Sequence, residues 1–348
     1  MRRIARETNI GGVVIGGDSP VAVQTMTNAP SRDVAGTLAQ IREAADRGCR
    51  IVRTAVPTLK DIDAFSAIVK ASPLPVVADI HFDWRIAVAA INAGAAKIRI
   101  NPGNIDNWDG IRQILEAANN RRVPIRIGVN GGSIKYKNAA DDRPAAEALV
   151  AEALGYAARF EEMGFHDIVL SLKSSSVAET LAVNREAARR CDYPLHIGVT
   201  EAGVPEDALL KSAVALGALL LDGIGDTVRV SFTGAPEDEV DAARKILRAA
   251  GRLRDRPEVI SCPTCGRTRI RNLPQIAARV RDAVAGIGKP LTVAVMGCEV
   301  NGPGEAAGAD LGLAATANGF ILFVHGERRR TVPAENAVAA LLEEIDKI

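Results

Sequence analysis

Aromatic side chains make up only 3% of this 348-residue chain, which leaves few platforms on which nucleic-acid bases could stack. An excess of charge of either sign is missing too. Lys and Arg number 43 against 42 Asp and Glu, a net charge of +1, so the overall balance drives no counterion release from a polyanion. These two absences exclude nucleic acid as the main partner. No apolar run reaches the roughly 18 residues that a membrane helix needs. The opening Met1-Arg2-Arg3-Ile4-Ala5-Arg6-Glu7-Thr8 is basic but lacks the apolar stretch of a secretory signal, and the expected location is the cytoplasm. Cysteines are few, five in all, and an odd number in a long chain without a signal points to thiols or metal ligands over disulfides. The remainder is ordinary globular material: 47% hydrophobic and 24% charged residues rule out disorder and collagen-like repeats.

From about residue 20 to about 250 one unit recurs: a short β-rich apolar segment, a turn, then an Ala-rich amphipathic stretch. That alternation predicts parallel strands joined by crossover helices. Strands are expected to open near Val21, Arg50, Pro75, Ala96, Val123, Asp167, Pro194 and Thr227, roughly one every 29 residues, the rhythm of a TIM (β/α)8 barrel. A doubly wound sheet is the competing architecture, but Gln24-Thr25-Met26-Thr27-Asn28 stands where its Gly-rich dinucleotide fingerprint should follow the first strand. The longest interval, between the fifth and sixth strands, contains Gly131-Gly132-Ser133-Ile134-Lys135-Tyr136-Lys137-Asn138, expected as an enlarged loop on the active face. Arg252-Leu253-Arg254-Asp255-Arg256-Pro257 ends the rhythm. The expected division is a barrel over 1–255 and a small α+β domain over 256–348. In the latter, apolar runs at Leu291–Val295, Leu311–Ala315 and Phe320–Val324 lie between helical stretches at about 274–286 and 333–347.

In a parallel barrel the outward strand face packs on helices and must be apolar, so alternation identifies what points inward. Ile98 and Ile100 outward leave Lys97, Arg99 and Asn101 inside. Ile125, Ile127 and Val129 leave Arg126, Gly128 and Asn130. The same rule turns Arg53, Asp79, His81, Ser171, Lys173, His196, Thr200, Arg229 and Ser231 inward. Six cations then face one obvious acid, Asp79, at the strand ends where barrel active sites lie. Buried charge is expensive unless paired or met by a ligand, and Arg forks match phosphate oxygens, so a phosphate or diphosphate is the expected guest. The alternative for any one cation is an internal salt bridge to a loop carboxylate, and Lys97 and Arg229 are the first candidates for it. Glu201, His81 and His196 are candidate acid–base groups at the same face, His196 also within expected reach of the anion.

Cys262-Pro263-Thr264-Cys265-Gly266 is a Cys-x-x-Cys turn, and Cys298 follows within Met296-Gly297-Cys298-Glu299-Val300-Asn301-Gly302-Pro303-Gly304-Glu305. Two thiolates can reach one metal centre from such a turn, and Gly-rich loops supply amides to cluster sulfurs. Three readings are open. An iron–sulfur cluster on three thiolates leaves one iron for an oxygen ligand, Glu305 or substrate; a zinc site would need His325 as fourth donor; a redox dithiol would need a βαβ context. Cys49 and Cys191 read as small core residues.

These residues resemble the 4-hydroxy-3-methylbut-2-enyl diphosphate synthase family, iron–sulfur enzymes of the non-mevalonate isoprenoid pathway. The resemblance rests chiefly on Ser261-Cys262-Pro263-Thr264-Cys265-Gly266-Arg267 and Gly297-Cys298-Glu299-Val300-Asn301-Gly302-Pro303-Gly304-Glu305, with Val129-Asn130-Gly131-Gly132-Ser133 and Gly223-Ile224-Gly225-Asp226-Thr227 in support. It implies a [4Fe-4S] cluster held by Cys262, Cys265, Cys298 and Glu305, the last displaced by substrate. It implies reduction of 2-C-methyl-D-erythritol 2,4-cyclodiphosphate, with single electrons from flavodoxin or ferredoxin. Arg53, Arg99, Arg126, Lys173 and Ser231 would hold the diphosphate, Asn130 would assist, and Glu201 would stand near the reacting carbons. A homodimer in which one subunit's cluster domain caps the other's barrel is also implied. Two rival functions are a sugar-phosphate aldolase or synthase with a zinc appendage, and an iron–sulfur redox sensor. The chain departs from the family pattern at Ala29-Pro30-Ser31-Arg32-Asp33, where further threonines are usual.

Overall fold

The structure, a computed structural model, describes residues 2–105, 107–130 and 145–348. The Gly131–Asn138 segment, expected as a loop on the active face, lies outside them. Two compact units are present, Met1–Leu253 and Arg254–Ile348.

In the first unit an N-terminal hairpin, β1 (Thr8–Ile10) and β2 (Val13–Ile15), precedes eight parallel strands: β3 (Ala22–Met26), β4 (Ile51–Ala55), β5 (Val76–Asp79), β6 (Lys97–Ile100), β7 (Ile125–Asn130), β8 (Ile168–Lys173), β9 (His196–Ile197) and β10 (Thr227–Val228). Each opens within two residues of the position expected from the apolar segments. Their order is β8-β7-β6-β5-β4-β3-β10-β9, and the ring closes where Leu170 N–H donates to Pro194 O at 2.9 Å. This is the TIM barrel.

The crossover helices are α1 (Val34–Asp46), α2 (Ile62–Ala71), α3 (Trp84–Asn92), α4 (Trp108–Arg121), α5 (Ala145–Glu162), α6 (Val177–Arg190), α7 (Pro205–Leu221) and α8 (Pro236–Ala249). Their starts are set by local chemistry. Asp33, Asp83, Asn107 and Ser176 accept hydrogen bonds from first-turn N–H groups, and prolines open α7 and α8 where no N–H is needed. The atypical loop before α1 is tied down by Arg32, whose Nε lies 2.7 Å from Asp61 Oδ1. Outward strand residues such as Ile98, Ile100 and Ile127 pack against inner helix faces in one continuous core.

The hairpin has no counterpart in the strand rhythm, because its strands are only three residues long. Ile10 and Ile15 pack against Ala22, Ile51, Val77 and Val169, the inward residues at the amino ends of the barrel strands, and so form its floor. The turn needs Gly11, whose φ is +56° and whose missing Cβ would lie 2.8 Å from Pro75 Cβ and 2.9 Å from Ala96 Cβ.

The second unit is a five-stranded sheet in the order β11-β12-β13-β14-β15, built from β11 (Glu258–Ser261), β12 (Thr292–Met296), β13 (Leu311–Thr316), β14 (Gly319–Val324) and β15 (Glu327–Val332). The first three run parallel and the rest antiparallel. Helices α9 (Leu273–Val284) and α11 (Ala337–Ile345) cover one face, packing Ile276, Val280 and Leu341 on Val293, Val295 and Leu313. The short α10 (Gly302–Ala307) sits on the other face, where Ala306 meets Met296 and Ala314. Strands β11 and β15 carry no apolar run, which is why the sequence pattern does not reveal them: both are sheet edges and largely exposed. No helix among the described residues is long and apolar enough to cross a membrane.

Gly11→Ala is expected to destabilise the barrel by about 1–3 kcal/mol through backbone strain and the clash under the floor. Gly155→Ala, in a helix where the new Cβ meets nothing, should be neutral or stabilising by up to about 1 kcal/mol. Denaturant midpoints of the two variants check this; equal shifts would show that the hairpin does not seal the floor.

Candidate active site

A cavity of about 280 Å³ opens among the carboxyl ends of the barrel strands. Arg53 (β4), Asp79 (β5), Arg99 (β6), Arg126 (β7) and Lys173 (β8) reach it from successive strands. Thr200, Arg229 and Ser231 line it from the segments after β9 and β10, and the exposed His81 stands at its edge. One acid serves several cations there. Asp79 Oδ1 lies 3.3 Å from Arg99 Nη1, and its Oδ2 lies 3.9 Å from Arg53 Nε and 3.6 Å from His81 Nε2. Burial pushes the Asp79 carboxyl up, but Arg53, Arg99 and Arg126 outweigh it and hold the group below its ordinary range. Arg53 itself is drawn down to about 10 by burial, against the pull of Asp79, and Met26 Sδ lies 2.9 Å from its Nη2. Met26 shares the inward face with Gln24, so alternation could have found it.

The two candidates for salt bridges differ. Arg229 pairs with Glu239 at 3.2 Å, and Glu239, in the first turn of α8, also accepts from Thr25 Oγ1 at 2.7 Å. Glu239 is a second buried acid that sequence reasoning missed, since it stands beside Glu237 and Asp238 with nothing to mark it as the one that turns inward. Among the described residues Lys97 forms no such bridge. It is fully buried, and its Nζ meets the neutral Gln24 Oε1 at 3.3 Å. The register explains this: Lys97 pairs with Val77, while Asp79 sits one layer higher opposite Arg99.

Lys173 also has no carboxylate partner among the described residues. Its Nζ is 3.2 Å from His196 Nε2, and His196 Nδ1 is 2.7 Å from Thr227 Oγ1. Burial, then Lys173 and Arg126, keep the imidazole neutral, so an Nδ1–H donated to Thr227 leaves Nε2 free to accept from Lys173. His196 is therefore not in the cavity wall but beneath it, where it positions Lys173. Gly198 makes this possible, because a Cβ there would stand 2.7 Å from Lys173 Nζ. Burial, followed by Arg126 and Arg229, presses Lys173 well below its ordinary range as well. In the same wall, Nε and Nη1 of Arg126 and Nε of Arg99 are buried without hydrogen-bond partners among the described residues. Each such donor costs about 1–3 kcal/mol, so the wall is incomplete without an acceptor-rich anion.

Glu201 lies outside this wall, exposed just after Thr200, with a left-handed φ of +52° that costs a non-glycine residue energy and concentrates at functional sites. Asn130 ends β7 in register with Lys173; its side chain is outside the described residues.

In the second unit Cys262 and Cys298 follow the carboxyl ends of the adjacent parallel strands β11 and β12. Gly297 N–H donates to Cys262 Sγ at 3.2 Å. Cys265 is held below the ordinary thiol range first by the Arg267 N–H and then by the Arg267 guanidinium. Cys298 is lowered by N–H groups of Asn301, Val300 and Gly302. Thr264, between the paired cysteines, has φ +51°, strained for a β-branched residue. Glu305 lies exposed in α10, its N–H bonded to Asn301 O at 3.1 Å. Three thiols with amides turned toward their sulfurs are the donor set of an iron–sulfur cluster. Among the described residues no three His, Cys, Asp or Glu side chains gather as one ion requires, whereas a closed zinc site sets four donors about 2.0–2.3 Å from the metal. His325 does not complete one. It sits 3.9 Å from Asp310, whose Oδ2 accepts from Thr292 N–H at the start of β12, while Cys298 lies two residues past that strand's other end, and the strand itself is roughly 13 Å long.

The matching family models are the GcpE TIM-barrel domain over residues 5–244 and the GcpE protein C-terminal domain over residues 258–347. The 4-hydroxy-3-methylbut-2-en-1-yl diphosphate synthase (flavodoxin) of Caldanaerobacter subterraneus is 47% identical over 100% of this chain and 98% of its own length. That of Geobacter sulfurreducens is 48% identical over 100% and 99%. Solved dihydropteroate synthases are similar in fold alone: that of Stenotrophomonas maltophilia has a TM-score of 0.54 at 16% identity, covering 71% of this chain and 98% of that one. That of Yersinia pestis has 0.53 at 12%, covering 71% and 100%. With both domains matched and relatives aligned end to end, the chain belongs to the GcpE family, that of the 4-hydroxy-3-methylbut-2-en-1-yl diphosphate synthases.

Proposed function

We propose that this chain reduces 2-C-methyl-D-erythritol 2,4-cyclodiphosphate to (E)-4-hydroxy-3-methylbut-2-enyl diphosphate and water, as a homodimer with a [4Fe-4S] cluster on Cys262, Cys265, Cys298 and Glu305. The relatives' names favour flavodoxin over ferredoxin as the electron source. The observation that carries the reading is that Arg126 and Arg99, which line the cavity, keep buried N–H groups without partners among the described residues.

The reaction takes a dianion, two electrons and one proton to a trianion and water, so negative charge grows as the ring opens. Arg53, Arg99 and Arg126 stand in place before that charge develops, and preorganised donors of this kind stabilise it most where water is excluded. Ser231 and Lys173 hold the remaining phosphate oxygens, with Lys173 kept upright by His196. Glu201 and His81, on the exposed side of the cavity, are the groups that deliver the proton to the leaving hydroxyl. When bound, the cluster supplies electrons singly and an iron Lewis acid for the departing oxygen. A zinc-bearing aldolase fits less well, since the thiols and His325 do not converge, and a pure redox sensor has no use for the anion pocket.

Three measurements test this. Anaerobically purified protein should contain about four irons and matching sulfide per chain, with an EPR signal lost in Cys298→Ser; zinc without iron would refute the cluster. Arg126→Met should weaken cyclic diphosphate binding at least about 100-fold while raising the thermal midpoint of the unliganded protein, because it removes an uncompensated buried charge. Unchanged binding would displace the pocket. Finally, burial among Arg53, Arg99, Arg126 and Arg229 pushes Lys173 toward neutrality, and an arriving dianion restores its proton while His196 Nε2 stays the acceptor. Groups whose pKa rises on binding favour the complex at low pH, so affinity should fall as pH rises through the bound-state values. Calorimetry in buffers of different ionisation enthalpy should show net proton uptake at pH 8; net release would contradict it.

A further inference from the structure

From Ser261 to Arg281 the chain contains five arginines and no Asp or Glu, although the whole chain balances 43 cations against 42 anions. That segment begins at Cys262 and folds around the cysteine motif. Arg267 donates to Cys265 and faces Cys298. Arg269 N–H donates to Gly297 O at 2.8 Å, which places its stem beside Cys298. Arg271 follows, exposed like Arg267 and Arg269. Arg281 lines a groove of about 410 Å³ whose opposite wall is Cys262, Pro263 and Thr264. Only Arg267 is used on a thiol, and Arg281 is paired with Asp282 at 2.9 Å. Among the described residues, the guanidinium groups of Arg269 and Arg271 have no ion pair. Val300, two residues past Cys298 and donating its N–H to that thiol, is 64% exposed, an apolar contact beside a basic segment, as at protein–protein interfaces.

We propose that this arginine collar, Arg267, Arg269 and Arg271 with the exposed Val300, is the docking face for an acidic one-electron carrier protein. The inference rests on the proposed reaction, which needs electrons delivered singly at the cysteines. Charge complementarity selects the occupant. Unpaired, exposed arginines beside a redox site steer and orient a negatively charged partner, and they have no role in holding the thiols, which Arg267 and the backbone N–H groups already satisfy.

The test uses iron-loaded full-length protein and flavodoxin. The Arg269→Glu/Arg271→Glu variant should bind flavodoxin about tenfold more weakly than the parent at low ionic strength, with the gap closing near 0.5 M salt. The milder Arg269→Gln/Arg271→Gln variant should lie between them. Turnover driven by reduced methyl viologen, a small cation, and the KM for the cyclic diphosphate should stay unchanged. Equal flavodoxin affinity in all three proteins overturns the docking face. Loss of iron, or a rise in the cyclic diphosphate KM with both donors, also overturns it, by assigning the collar to the cluster or the substrate. If the parent protein reduces the cyclic diphosphate with neither donor, the proposed reaction fails while the binding comparison still decides the docking face.

Discussion

The first unit is organised around a shortage of negative charge. Asp79 is the buried acid shared by Arg53, Arg99 and His81, and Glu239 is committed to Arg229. Among the described residues that leaves Lys97, Arg126 and Lys173 buried beside neutral partners or none. An interior of this kind lowers the stability of the empty protein and is tolerated because the ring of apolar contacts outside it, between strands and helices, is extensive. Stability comes from the outer layer, and the inner layer is released to serve chemistry. The depressed protonation of Lys173 and His196 is the same strain expressed in proton occupancy.

The second unit uses a different device for a similar end. Its thiols sit where two parallel strands end side by side, and the turn after Cys265, Gly297 and the entry to the short α10 present N–H groups to them. Backbone amides do not titrate and are lost only to proline, so the donor field at the cysteines is fixed by the fold itself.

The barrel and its inward cations were legible because two periodicities coincide: period 2 along each strand decides what faces inward, and the βα repeat decides where each strand begins. Residues outside those periodicities were not. Glu239 turns inward from a helix start that carries three acids. The floor hairpin is too short to show a pattern, and β15 is an arginine-rich edge with no apolar alternation. His196 was identified as inward-facing, but depth along the strand is not written in alternation. Strand parity gives a side chain's direction and not its layer, which is why His196 lies under Lys173 and Lys97 below the reach of Asp79.

The floor laid by Ile10 and Ile15 gives the barrel a single door. With one end sealed by apolar packing, whatever occupies the cationic cavity must leave by the route it entered. Product and the next substrate are then mutually exclusive occupants, and the product carries the greater negative charge. Under the proposed reaction, the cations that draw substrate in also hold product back, so slow release and competitive inhibition by product are consequences of that reading.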